Sequence, residues 1–168
     1  MKRKIAFIGH RFVYEDDVIR KKLYKLAESE IKNGYKTFTM GTHGDFDAMA
    51  LSVCRQLRKI YSDIKIEVVI TSLNAIKPFI DKELLEDNEK FIPYRDVTTV
   101  MYDIEEEHFK RRIVASNRQM IDTCNALICY VDEKRCYGGA ILAYKYAKKK
   151  GLRIVNLYDD TFLKKLKK

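Results

Sequence analysis

A chain of 168 residues, 46% hydrophobic and 34% charged, is long enough to bury the core of one domain. With only 7 glycines and 2 prolines it is no linker-rich or collagen-like protein. Its 33 Lys and Arg against 24 Asp and Glu leave a net charge of +9, which favours anionic partners such as nucleotides or nucleic acid. The first ten residues, MKRKIAFIGH, are basic and then apolar, but the apolar stretch is too short for a signal peptide. No run approaches the ~18 apolar residues of a membrane span. One cytoplasmic domain over 1–168 is therefore expected, ending in a short basic tail at 161–168, with no membrane association.

In chain order, Lys4–Gly9 (KIAFIG) is a nearly continuous apolar run, as in a parallel strand covered on both faces. Asp16–Lys32 spaces Val18, Ile19, Leu23, Leu26, Ala27 and Ile31 as a helix, which Gly34 ends. Lys36–Met40 predicts a strand. Asp45–Tyr61 predicts a helix with Ala48, Leu51, Leu57 and Ile60 on its apolar face, and Lys65–Thr71 a third strand. Asn74–Arg95 holds both prolines and reads as loop, with one short helix around Asp81–Glu86. Val97–Tyr102 reads as a short strand, and Glu105–Thr123 as a helix with a potential break at Ala115–Ser116. The strand Ala126–Val131, the helix Gly139–Lys150 and the strand Leu152–Leu157 complete the chain. This β/α alternation predicts an α/β fold: a doubly wound, mostly parallel sheet with helices on both faces.

Cys54, Cys124, Cys129 and Cys136 form no C-x-x-C pair and have no histidine at ligand spacing. No metal, cofactor or disulfide is expected, and Cys54 and Cys129 read as small core residues. The basic surplus is dispersed. Lys148–Lys150 end a helix, where cations suit the macrodipole, and the remaining clusters form no continuous stripe interleaved with aromatics. Nucleic acid consequently ranks below a small anionic ligand.

Three glycine turns should open on one edge of such a sheet, where ligands bind beyond the carboxyl ends of the strands. The first is Gly9-His10-Arg11, whose arginine can fork two hydrogen bonds onto a phosphate. The second is Gly41-Thr42-His43-Gly44-Asp45, where Thr42 or Asp45 can cap the following helix. The third is Tyr137-Gly138-Gly139-Ala140, which places free N–H groups and a positive helix end together as an anion cradle. Plainer readings stand beside these. Gly9 also fits a tight turn, His10 and His43 fit satisfied polar residues, and Asp45 fits an N-cap better than an acid or base.

The pattern strand-GHR, strand-GxxGxD-helix, SNRQMID before an apolar strand, then CYGGAxLAYxYA resembles the SLOG superfamily. It is most similar there to the small YpsA-like proteins of bacteria and phages. The resemblance spans residues 4–158 and is strongest over Ser116–Asn156. It implies a Rossmann-like sheet and sets Gly9, Arg11, Gly41, Gly44, Asn117, Gly138 and Gly139 in ligand loops, with Arg118 near a basic position of the LOG enzymes. Those enzymes carry a catalytic glutamate in P-G-G-x-G-T-x-x-E, whereas here Lys145 holds its approximate place. The nearest carboxylates are Asp45, Asp47 and Asp132, with Asp45 the catalytic candidate. The expected function is therefore a pocket for a nucleotide or ADP-ribose-like ligand, in a sensor or sequestering module of signalling or phage defence. In it Arg11 and Arg118 would meet phosphate, Asn117, Thr42 and Asp45 ribose hydroxyls, and Tyr14 or Tyr137 a base. The alternatives are a nucleoside N-glycosidase or deoxyribosyltransferase, and then single-stranded DNA binding of the DprA kind. Self-association is a further expectation, since related proteins often form oligomers.

Overall fold

The computed structural model describes residues 3–72 and 94–158. The short helix expected around Asp81–Glu86 and the basic tail 161–168 lie outside the described residues. Elsewhere the strands are β1 (Arg3–Gly9), β2 (Tyr35–Met40), β3 (Lys65–Val69), β4 (Thr98–Val100), β5 (Ala126–Tyr130) and β6 (Arg153–Asn156). The helices are α1 (Asp16–Lys32), α2 (Asp45–Arg58), α3 (Phe109–Asp122) and α4 (Gly139–Lys149). The six strands form one sheet in the order β4-β3-β2-β1-β5-β6, and every neighbouring pair is parallel. This is a Rossmann-like doubly wound α/β fold. Among the described residues no helix is long and apolar enough to cross a membrane.

Strand alternation sorts the core into two layers. Ile5 and Phe7 of β1, Phe38 and Met40 of β2 and Ile128 of β5 pack on one face with Leu23 and Ala27 of α1 and Phe46, Met49 and Leu57 of α2. Ala6 and Ile8 of β1 and Leu127 and Cys129 of β5 pack on the other, with Met120 of α3 and Ile141, Ala143 and Ala147 of α4. Covering on both faces is why β1 and β5 read as unbroken apolar runs. Cys54 and Cys129 are buried, one in each layer.

Helix α1 starts and ends where its spacing predicts. Asn33 and Gly34 return N–H bonds to the Ser29 and Ile31 carbonyls, with Gly34 at φ 95°. Val18, however, is exposed. The apolar face of α2 differs more. It consists of Phe46, Met49, Ala50, Val53, Cys54 and Leu57, an unbroken set of three- and four-residue steps. Ala48 and Ile60 are exposed, and Leu51 is half-buried. Two apolar stripes overlap in this segment, and the one carrying Phe46 buries more surface. Helix α3 runs unbroken through Ala115 and Ser116 and starts at Phe109 rather than Glu105. Edge strand β4 keeps only three residues.

What positions the site is the reversal of strand order. From β1 the chain winds outward through β2, β3 and β4, and α3 then carries it back so that β5 pairs with the other side of β1. The turns after β1 and β5 therefore leave the sheet toward opposite faces and open a crevice between them.

Candidate functional site

The β1 turn is built around His10, which is 6% exposed. Its backbone N–H donates to the Tyr130 carbonyl at 3.1 Å, and its Nε2 accepts the Asp132 N–H at 2.7 Å. The imidazole therefore spans the gap between β1 and β5, edge-on to Tyr130 and Tyr158. Burial, with help from the Arg135 charge and against the pull of Asp132, lowers its pKa to about 4. The ring is thus neutral at pH 7, with its proton on Nδ1 because Nε2 is an acceptor. His10 acts as a latch across the strand reversal, which is the satisfied-polar reading.

The β2 turn docks onto the β1 turn. Asp45 N–H donates to the Arg11 carbonyl at 2.8 Å, and Asp45 Oδ2 accepts the Val13 N–H at 3.3 Å. Gly44, not Asp45, is the N-cap of α2; it has φ 128°, and a Cβ there would stand 2.5 Å from Arg11 Cα. Asp45 is exposed on the first turn and fastens the loop. It lies outside the lining of the cleft.

That cleft has a volume of about 170 Å³. Gly9, His10 and Arg11 from the β1 turn, Gly41 and His43 from the β2 turn and Asp47 from α2 form one side. Ile113, Asn117 and Met120 of α3 with Gly139 and Ala140 of α4 form the other. Of the residues expected from sequence, Gly9, His10, Arg11, Gly41, Asn117 and Gly139 converge here. Thr42, Gly44, Asp45 and Gly138 sit in the adjoining turns without lining it.

Arg118 is placed elsewhere. It is exposed, its guanidinium lies 5.5 Å above the Tyr146 ring, and it lines a separate hollow between α3 and α4 with Arg111 and Asp122. Tyr14, Tyr137 and Lys145 are all exposed and none lines the cleft.

Two lining residues that carry charge chemistry, His43 and Asp47, are not among the residues singled out for the ligand. His43 Nε2 is 3.4 Å from Thr71 Oγ1, and the ring meets Phe109 edge-on. Burial and the nearby Arg11 charge lower its pKa. Asp47 Oδ2 accepts the His43 N–H at 2.9 Å. Burial raises its carboxyl pKa to about 6, and the bond from His43 opposes the rise. A sequence signal existed: Asp47 stands three residues beyond the Gly44 N-cap, where an acidic side chain turns back toward the helix start.

The rest of the electrostatics is cationic or dipolar. Arg11 is exposed and makes no ion pair among the described residues. Helix α4 begins without a side-chain cap and without an acidic residue in its first turn, so its positive end faces the cleft uncompensated. Helix α2 carries Asp45 and Asp47 in its own first turn and is already neutralised. An anion is therefore held best between Arg11 and the start of α4. The chain matches no protein-family model, and no curated protein is detectably similar to it in sequence.

Proposed function

We propose that the crevice between β1 and β5 binds a nucleotide or nucleotide-derived, ADP-ribose-like ligand, and that the protein is a sensing or sequestering module. The resemblance to SLOG proteins, and to the YpsA-like group within them, agrees with this reading. The observation that carries it is that Arg11 and the uncapped start of α4, marked by Gly139, line the same cleft at the strand-order reversal. A guanidinium and a bare helix end supply the donors that a phosphate needs, and Asn117 adds a neutral amide beside Gly139. At about 170 Å³ the cleft is smaller than the ~300–1,000 Å³ of a typical ligand pocket. It accommodates the phosphate and sugar, and the remainder of the ligand rests on the open rim.

The enzymatic alternatives gain one point. Asp47, rather than Asp45, is the carboxylate that lines the cleft. Hydrolysis through paired carboxylates lacks its partner among the described residues, where Asp47 is the one carboxylate in the lining. Binding is accordingly the first reading.

Calorimetric titration of ADP-ribose and AMP tests it. Arg11→Ala should weaken both about tenfold to hundredfold, the ~1.5–3 kcal/mol of a charge-assisted bond. Arg118→Ala, which removes an equal charge from the other hollow, should leave affinity within about twofold, as expected of a screened distant charge. Equal losses in the two variants would show a general effect of charge and discard the site.

A further inference from the structure

The cleft is bipolar, and its negative pole restricts what can occupy it. Arg11 and the start of α4 offer only hydrogen-bond donors, whereas an ionised Asp47 offers only acceptors. One carboxylate oxygen, Oδ2, is used by the His43 N–H; no other described group bonds to the carboxylate. Asp47 borders the cleft beside Gly41, where an added Cβ would stand 2.9 Å from Oδ2, so no larger residue at 41 could be seated without displacing the carboxylate. A bare phosphate gains nothing from this arrangement, because the same carboxylate that lines its site repels it. A cationic group is opposed in turn by Arg11, whose charge lies close enough to His43 on the same wall of the cleft to lower its basicity. The occupant that satisfies both poles carries an anion at one end and uncharged donors at the other. Adjacent hydroxyls of a pentose supply two such donors, matched to the paired oxygens of a carboxylate.

We propose that Asp47 is the specificity-determining residue of the cleft, accepting hydrogen bonds from the vicinal hydroxyls of a ribosyl phosphate and so selecting ribose over 2-deoxyribose. This deepens the phosphate reading above and rests on it.

Titrating the full chain at pH 8, where the carboxyl is ionised, with AMP, 2′-deoxy-AMP and pyrophosphate separates the two ideas. Base and phosphate cancel in the ratio of the first two probes. Wild type should prefer AMP by about tenfold or more, since a site built to bond a hydroxyl rejects the analogue that lacks it. In Asp47→Asn the amide oxygen still accepts the His43 N–H. The preference should fall to within about threefold while pyrophosphate binds as well as before or better, since a like charge has been removed. Retained pyrophosphate binding also reports that the variant cleft is intact. Equal affinity of wild type for AMP and 2′-deoxy-AMP would overturn the role of Asp47 and leave the phosphate site standing. So would a loss in Asp47→Asn that is the same for all three probes. Failure of wild type to bind any of the three would overturn both proposals.

Discussion

Gly44→Ala is expected to destabilise the protein by about 2–6 kcal/mol, the sum of ~1–3 kcal/mol for backbone strain and ~1–3 kcal/mol for overpacking. The residue sits at φ 128°, a region that side chains with a Cβ rarely adopt, and the new methyl would lie 2.5 Å from the Arg11 backbone. Backbone cannot swing aside as the end of a flexible side chain can. The strain therefore spreads into the Asp45 N–H to Arg11 carbonyl bond that holds the two turns together. Gly34→Ala provides the comparison, because Gly34 also has positive φ (95°) but nothing lies within 4 Å of its added Cβ. It should cost only the strain, about 1–2 kcal/mol. Thermal unfolding should then fall by about 10 °C for Gly44→Ala and by roughly half that or less for Gly34→Ala. Gly44→Ala should in addition lose affinity for ADP-ribose, since Arg11 moves with its backbone. If the two variants melt together, the docking of the β1 turn onto the start of α2 is not what Gly44 provides.

Acid titration should show buried His10 and half-buried Asp47 working against each other. His10 ionises near 4 in the folded protein against 6.5 in the unfolded chain. Between those values the unfolded chain holds the extra proton, so stability from this residue is lost as pH falls from 6.5 to 4, then levels off. Asp47 ionises near 6 when folded against 3.8. Here the folded protein holds the extra proton, so stability from this residue is lost as pH rises from 3.8 to 6. Each contribution is on the order of 2–3 kcal/mol at about 1.4 kcal/mol per pH unit, reduced for the partial solvent access of both groups. Their opposition makes the wild-type profile between pH 4 and 6 shallower than either alone. His10→Gln keeps an acceptor for the Asp132 N–H but cannot titrate, so acidification from pH 6.5 to 4 should destabilise it less than wild type. Asp47→Asn should be destabilised more than wild type over the same interval. Urea unfolding at pH 4.5 and 7 measures both. Parallel profiles for all three proteins would mean that neither side chain is shielded from water as the packing indicates.

The alternation of apolar runs with three- and four-residue spacing was enough to read the order of the described elements and the parallel sheet. β1, β5 and α1 were legible almost to the residue, because a strand buried on both faces leaves no polar positions and Gly34 ends a helix by its backbone geometry. The convergence of Gly9, Arg11, Gly41 and Gly139 followed as well, since turns after parallel strands must open on one edge; Asn117 came from the family resemblance alone and lies within α3 rather than in a loop. Other features were not legible, for physical reasons. In α2, two apolar stripes share one helix, and only the weight of Phe46 in the core settles which turns inward. Arg118 and Asn117 are neighbours in sequence, yet a helix sends successive side chains about 100° apart, so one lines the cleft and the other lies over Tyr146. Asp45 and Asp47 are separated by the same logic: the first ties down a loop, while the second turns back over Gly41 into the cleft. Short-range spacing records which residues form each element. Which carboxylate or cation reaches the crevice depends on helix rotation, and the packing of Phe46, Met120 and Ile141 against the sheet, between residues far apart in the chain, sets that rotation.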